Sequence, residues 1–384
     1  MSSYTLRWGI ISTGSISTSF VEDLLTDPTD RKVNDVSHAV TAVGSRSVES
    51  AQKFIDKINS TSKGKSWAAG VHDDRFKDVK PYGDYQGVYN DPNVDAVYIG
   101  TPHVVHHRNA KDALLAGKHV LCEKPFTLDR DELDELIAIA KEKKLFLMEA
   151  VWTRFQPIAY AVEEVLKSGK LGKPKRFWAD FSMDWGLEST PHDAWMMKPE
   201  FGGGSLLDSS AYPSVWAMLC VHRHPLNTIK EPKVVNTHQT LYKPTGIDKN
   251  SRWLVEWDDF CLAALTTDLD SSGLRDATAV LQCEEGDLVI AYPPYQPTQF
   301  TIHPKPDRYL GSITEKTTHD WPLAPGVNGM AYEADEVARC IKAGKLESER
   351  MPWEESQIVQ GWVDEVRKNG PSKSAGLKGT AGHD

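Results

Sequence analysis

The chemistry this sequence could perform centres on a lysine and a tyrosine. Lys124 stands in Glu123-Lys124-Pro125, directly after the apolar run 120–122. Upstream, a second short apolar run, Ala96–Gly100, ends in Thr101, Pro102 and His103. Two such runs with a helical pattern between them read as strand–helix–strand in a parallel sheet. Ligands of parallel sheets bind outside the carboxyl ends of the strands, where both tripeptides fall. Pro125, with its locked φ, could hold the Lys124 ammonium toward such a crevice; a lone Glu-Lys-Pro is otherwise a surface lysine in a loop. Farther on, Gly202, Gly203 and Gly204 precede Asp208 and Tyr212. Glycines let a backbone come close to a ligand or to another part of the chain, and residues four apart on a helix share one face. A tyrosine, of ordinary pKa about 10, becomes a base near neutrality only where a cation stabilises its phenolate. Lys124 would be that cation, and Asp208 would bind a neighbouring hydroxyl or hold the lysine. The plain alternative is a capping aspartate beside a buried tyrosine with a satisfied hydroxyl.

The elements that must position these residues begin with a strand over Leu6–Ile11, a turn through Ser12, Thr13, Gly14, Ser15, Ile16 and Ser17, and a helix over Thr18–Leu25. Strand, tight turn and helix are the setting of the dinucleotide fingerprint G-x-G-x-x-G/A. Here Ser12 replaces the first glycine and Ser17 the third position. Gly14 remains where a backbone must approach a pyrophosphate, with a helix N-terminus behind it. The next strand, His38–Val43, runs into Gly44, Ser45, Arg46 and Ser47. No carboxylate stands there to hold ribose hydroxyls. Ser45 and Arg46 offer a hydroxyl and a guanidinium instead, which suit a 2′-phosphate and favour NADP over NAD; a helix-capping serine beside a solvated arginine is the other reading. Helices are expected over Val48–Ile58 and Thr127–Lys143, the latter with acidic residues in its first turn, and a buried strand over Leu145–Met148. Asn59–Lys80 reads as a polar surface excursion.

Beyond Tyr160 the pattern changes. A helix over Ala161–Lys167 is followed by strand candidates Lys175–Asp184, Arg252–Thr267, Thr278–Cys283, Leu288–Tyr292, Thr298–His303 and Ser312–Asp320, with helices returning at Ala331–Ala343 and Trp353–Lys368. Successive strands without helices between them indicate a largely antiparallel sheet. The fold class is therefore α/β: an N-terminal Rossmann-type doubly wound parallel sheet plus a C-terminal α+β domain with a large, mostly antiparallel open sheet. The expected division is 1–150 for nucleotide binding, 151–345 for substrate and dimerisation, and 346–384 as a helix and tail, with 372–384 disordered.

A chain of 384 residues is long enough for two substantial cores. The net charge of −10 argues against nucleic-acid or anionic-membrane partners, and no window approaches a membrane span. Cys122, Cys220, Cys261, Cys283 and Cys340 lack metal or disulfide spacing, which fits reduced thiols. Neither His103, His106 and His107 nor Cys220, His222 and His224 make a convincing metal cluster, and none is expected. The Asn59 sequon follows no secretory signal, so the expectation is a cytoplasmic protein.

Taken together, the Thr13–Ile16 turn, Thr101-Pro102-His103, Glu123-Lys124-Pro125, the run Met148-Glu149-Ala-Val-Trp152-Thr-Arg154 and the Asp208…Tyr212 pair resemble the Gfo/Idh/MocA family of nicotinamide-dependent oxidoreductases. The resemblance extends from Trp8 to about Lys368 and is strongest to the branch of NADP-dependent D-xylose dehydrogenases and dimeric trans-dihydrodiol dehydrogenases. It implies that Thr13, Gly14, Ser15, Ile16, Ser45, Arg46, Thr101, Pro102, His103, His106, Glu123 and Lys124 contact the cofactor, with Lys124, Asp208 and Tyr212 at the chemistry. It makes Glu149, Trp152 and Arg154 pocket candidates, each equally an inter-domain brace, and puts a dimer on the free face of the C-terminal sheet. Phe155, Trp185, Trp195 and Tyr295 could supply an aromatic wall, suited to an aldopyranose and to an aromatic dihydrodiol alike. The implied activity is oxidation of D-xylose to its lactone with NADP, or of a dihydrodiol or another sugar. The degraded fingerprint leaves open a non-catalytic NADP-binding regulator.

Overall fold

The computed structural model describes residues 3–61, 76, 78–305, 315–372, 374, 377 and 378. The N-terminal half alternates strand and helix: β1 (Tyr4–Ile11), α1 (Ser15–Leu24), β2 (Val36–Gly44), α2 (Val48–Thr61), β3 (Lys80–Tyr82), α3 (Tyr85–Asn90), β4 (Ala96–Ile99), α4 (His106–Leu115), β5 (His119–Glu123), α5 (Arg130–Lys143) and β6 (Leu147–Ala150). The strands form one six-stranded sheet in the order β3-β2-β1-β4-β5-β6, parallel throughout. Buried on both faces, β4 and β6 carry no exposed position, as parallel strands under helices require. The order reverses between β1 and β4, which opens a crevice above their carboxyl ends.

Several boundaries differ from the expected ones for local reasons. Helix α1 starts at Ser15 directly behind Gly14, so the phosphate-type turn is shorter than the sequence suggests. Helix α5 starts at Arg130 because Asp129 caps it, accepting the Glu132 amide at 2.9 Å. Glu132 reaches back to the Leu128 amide at 3.0 Å, one residue before the cap, a near relative of the capping box. The interior of the Asn59–Lys80 excursion lies largely outside the described residues; its ends close α2 and open β3.

The C-terminal half holds α6 (Pro157–Lys167), β7 (Pro174–Ser182), α7 (Ser205–Ser209), α8 (Ala211–Ala217), β8 (Lys233–Leu241), β9 (Asp248–Trp257), β10 (Cys261–Asp268), β11 (Ala279–Cys283), β12 (Gly286–Ile290), β13 (Gln299–Pro304), β14 (Thr317–Asp320), α9 (Met330–Lys342) and α10 (Trp353–Asn369). Its eight-stranded sheet runs β14-β13-β12-β11-β7-β10-β9-β8. Among the described residues the β7–β10 pair is parallel and the other pairs are antiparallel. The expected single strand over Arg252–Thr267 is a hairpin, broken at Asp259, whose φ of 54° is left-handed. Strand β8 escapes the sequence reading because it is a polar edge strand, half of it exposed. The tail is not wholly loose: Arg367 donates to the carbonyls of Ser374 and Leu377, against the expectation of disorder from Ser372.

Helices cover one face of this sheet. The other carries an apolar row in register, Leu254–Ala264–Trp178–Val280–Val289, with Leu262 beside it 41% exposed. Among the described residues no helix is long and apolar enough to cross a membrane.

Helix α9 returns to the N-terminal half, and Asp23 of α1 receives it. Its buried carboxylate accepts the amides of Asn328 (2.7 Å), Gly329 (2.9 Å), Met330 (2.7 Å) and Ala331 (3.1 Å) and the Asn328 side-chain amide (3.0 Å). These are the donors a helix start leaves unsatisfied. Asp23→Ala should orphan them together and lower unfolding stability by about 3 kcal/mol, read as a shift of the urea midpoint with far-UV dichroism unchanged; a shift below about 1 kcal/mol would contradict this account of the cap.

Candidate active site

The carboxyl end of β5 delivers Lys124, and the α7–α8 segment delivers Asp208 and Tyr212. The two helices meet at Ser210, where Pro213 has no N–H to offer the preceding turn. Across the crevice, Lys124 Nζ donates to the Asp208 carbonyl at 2.6 Å and to its Oδ1 at 3.1 Å. The same ammonium sits 5.3 Å from the centre of the Tyr212 ring. His103 Nε2 lies 3.9 Å from Asp208 Oδ1, and the ring is buried. Around this polar group stand rings: Trp152 stacks on Tyr295 (centroids 6.0 Å, planes 5° apart), Phe181 meets Tyr212 edge-on at 5.3 Å, and Trp195 meets His103 edge-on at 5.4 Å. The arrangement is an uncharged aromatic slot with one compensated ion pair at its base. It can hold a ring and donate hydrogen bonds to an oxygen on it.

The electrostatics correct one expectation. Burial outweighs the Lys124 charge at Tyr212 and pushes the phenol up to about 12, so the cation does not bring it toward neutrality. Burial opposes the Lys124 charge, but Asp208, with Tyr212 and Glu123, more than offsets it and raises the lysine above its ordinary value. At Asp208 burial is likewise outweighed, by Lys124 first, and the carboxyl falls below its ordinary value. Burial takes His103 down to about 3. The resting site thus holds an ammonium, a carboxylate, a neutral imidazole and a protonated phenol.

Glycine conformation explains the degraded fingerprint. Ser12 itself adopts φ 89°, the left-handed turn a glycine would normally supply. Ser17 is buried against Gly100, whose Cβ would sit 2.5 Å from the serine hydroxyl oxygen. The close helix–strand packing usually provided by the third glycine is therefore provided from the facing strand end. Gly14 is open, with only Ser12 Oγ near a Cβ, at 3.7 Å, and it caps α1 without any side-chain hydrogen bond. Among the described residues no N-cap side chain takes up the first-turn amides of α1, at Ser15 and Ile16, which can meet an anion. At the end of β2, Ser45 is buried and hydrogen-bonded to Thr13 (Oγ–Oγ1 3.2 Å), while Arg46 is exposed.

The other predicted residues each have partners within the fold. Glu123 turns inward and accepts the Tyr98 hydroxyl at 2.6 Å. His106, fully buried, lies 2.8 Å from both the Thr101 and Pro125 carbonyls. It ties the two strand-end loops together, with Asn109 on the Thr101 hydroxyl at 3.0 Å, while Pro102 bounds the Thr101–His103 turn. Glu149 accepts from the Phe126 amide (3.2 Å) and Ser356 (2.8 Å). Arg154 pairs with Glu355 at 2.5 Å, and Phe155 is a core residue. Glu149 and Arg154 are thus held by buried partners that only the folded chain supplies, and Phe155 by packing in the core. Trp185 hangs from the Leu269 carbonyl at 3.0 Å; no ring contact joins it to the slot among the described residues. Phe181 was missed: an alternating strand shows which residues face inward, but not that one abuts a site.

With this geometry in place, comparison with known proteins fixes the class. The oxidoreductase family with an NAD-binding Rossmann fold, GFO/IDH/MocA, matches residues 6–151, and its C-terminal domain matches 160–289. The chain belongs to this family and is a nicotinamide-dependent oxidoreductase. Among its relatives, the D-xylose 1-dehydrogenase (NADP(+)) of Hypocrea jecorina is 34% identical over 96% of this chain and 92% of its own. The trans-1,2-dihydrobenzene-1,2-diol dehydrogenase of Danio rerio is 30% identical over 94% and 96%. In fold the chain is similar to a levoglucosan dehydrogenase (TM-score 0.78, 17% identity, 97% of both chains). It is also similar to a 3-ketoreductase from Actinomadura kijaniata (TM-score 0.73, 22% identity, 95% and 98%).

Glu123 makes the site's electrostatics testable. Burial raises its carboxyl to about 7 from 4.5, so the folded protein holds a proton that the unfolded chain releases. The stability from that proton is complete below about pH 4.5 and is lost as pH rises toward 7. Glu123→Gln keeps an acceptor for Tyr98 and does not titrate. Between about pH 5 and 8 the unfolding free energy of the variant should gain on the wild type by up to about 3 kcal/mol, at roughly 1.4 kcal/mol per pH unit. Parallel pH profiles from urea unfolding would refute the inward, proton-holding carboxyl.

Proposed function

We propose that the protein is an NADP-dependent sugar dehydrogenase that oxidises the anomeric hydroxyl of an aldose, D-xylose to its lactone being the first case to test. The observation that carries this reading is the meeting of Lys124 and Asp208, with Tyr212, inside an aromatic slot of neutral net charge. The 34% relative, a D-xylose 1-dehydrogenase (NADP(+)), supports the substrate. The cofactor supplies the hydride acceptor. The amides at the start of α1 and Gly14 would receive its pyrophosphate, and Ser45 and Arg46, with no carboxylate beside them, its 2′-phosphate. Lys124 would hydrogen-bond the reacting oxygen, Asp208 would hold Lys124 and a neighbouring hydroxyl, and Trp152, Tyr295 and Phe181 would stack on the ring. The hydroxyl proton would pass to Tyr212 or Lys124 only after that group has released its own proton to solvent. Because both begin protonated, oxidation should speed up as pH rises from neutral into the alkaline range. A trans-dihydrodiol is the second reading, favoured by the same aromatic wall and by relatives at 30% identity.

Reduced-nicotinamide formation with NADP⁺ and D-xylose, compared with Lys124→Met and Tyr212→Phe, tests the reading. The expected loss is at least about 100-fold for each variant, the size of one acid–base contribution, with NADPH still bound. Turnover of a dihydrodiol but no sugar would select the second reading; binding without turnover of either would overturn both.

We further propose a cytosolic protein, on its five buried, unpaired cysteines, and a homodimer through the outer face of the C-terminal sheet. The apolar row through Trp178 would meet its own copy. Sedimentation velocity should show a dimer that Trp178→Glu converts to monomer; a monomeric wild type would refute it.

A further inference from the structure

Asp208 owes its place to a carboxylate far from it in sequence. Asp248, the first residue of β9, is buried, and its Oδ2 accepts three donors: the Leu206 amide at 2.8 Å, the Ser205 hydroxyl at 2.8 Å and the Ser251 hydroxyl at 2.7 Å. Each hydroxyl is itself fixed from behind. Thr267 on β10 donates to Ser205 at 3.0 Å, and Gln239 on β8 donates to Ser251 at 2.9 Å. Two relays, Thr267 to Ser205 and Gln239 to Ser251, and one amide converge on the same oxygen, so the hydroxyl hydrogens are ordered and that acceptor is fully used. Asp248 Oδ1 would lie 2.2 Å from a Cβ at Gly204, whose φ is 118°. Gly203 faces the Met196 and Lys198 carbonyls in the same way, at 2.4 and 2.8 Å. Gly204 therefore lets the start of helix α7 sit down on β9, while Gly203 lets the chain pass close to the Met196–Lys198 turn.

This matters for the reaction because α7 is five residues long and Asp208 is one turn from the clamp. Both contacts of Lys124, to the Asp208 carbonyl and carboxylate, ride on where that turn begins.

We infer that Asp248 is a positioning residue for the reaction: it clamps the start of α7 to the C-terminal sheet and thereby sets the Lys124–Asp208 contact across the crevice. The inference rests on the proposed dehydrogenase reading, and one arm of its test does not. Amide hydrogen exchange over 205–212 needs no substrate. In Asp248→Ala it should quicken over that segment and leave β5 and α1 as they were, with NADPH affinity unchanged. Unchanged exchange overturns the clamp whatever the substrate proves to be.

The second arm is turnover on whichever sugar or diol the wild type accepts. Asp248→Ala should lower kcat about 100-fold, the scale of an ångström's misplacement, and Asp248→Asn, which keeps the acceptor oxygen, should recover most of it. Wild-type kcat in the alanine variant overturns the role in catalysis, and so does a fall in NADPH affinity proportional to the loss of kcat. Should Asp248→Ala not fold, Gly204→Ala pushes on the same contact from the other side and should reproduce both effects. Where both variants fold, their double variant should lose less than the product of the two losses; a full product overturns the shared contact.

Discussion

The site depends on one interaction, an ammonium from the N-terminal sheet held by a carboxylate and a carbonyl from the C-terminal one. Lys124 and Asp208 are brought together by everything around them: strand β5 of a six-stranded sheet, which ends at Glu123, and a short helix anchored on β9. A partly buried pair of this kind is weak evidence for stability, since desolvation offsets much of the attraction. Its value lies in geometry. It fixes where a donor stands relative to an oxygen placed between the two sheets, and it holds the lysine charged in a place where burial alone would discharge it.

The surroundings divide the labour. His106 and Glu123 sit behind the crevice and tie the loops that carry Thr101 and Lys124. Trp152 reaches the slot from the connection after β6 while its neighbours Thr153 and Gln156 donate to the Tyr295 carbonyl at 2.7 and 2.9 Å. The two stacked rings are thus held by backbone as well as by contact. Asp23 and Asp248 do similar work at opposite ends of the molecule. Each is a buried carboxylate that accepts donors from a helix start, Asp23 docking α9 and Asp248, which also takes the Ser251 hydroxyl of its own strand, docking α7. Burial is tolerated in both because the helix N-terminus supplies the donors that water would have supplied.

Substitution at the turn after β1 shows how a motif can change its letters and keep its geometry. Ser12 takes a left-handed conformation that a serine adopts at some energetic penalty, and Gly100 makes room for Ser17. The glycine pattern alone would have read as damaged. The backbone it encodes is present, and with it an uncapped helix start facing the crevice.

Much was legible in the residues in order. Apolar runs alternating with helical periods gave the parallel sheet, because strands buried on both faces must be continuously apolar. The absence of an acid after β2 and the placing of Lys124 at a strand's end were equally local facts. Partners were not legible. Nothing in the run from Met148 to Phe155 says that Trp152 meets Tyr295 while Glu149 and Arg154 are taken by Ser356 and Glu355, two hundred residues away. The same holds for Asp248 beneath Gly204, and for the phenol of Tyr212, driven upward because burial exceeds the field of the lysine beside it. Periodicity and turn chemistry act between neighbours and can be read along the chain. Desolvation, charge pairing and close approach depend on which distant segments pack together, and only the tertiary structure decided those.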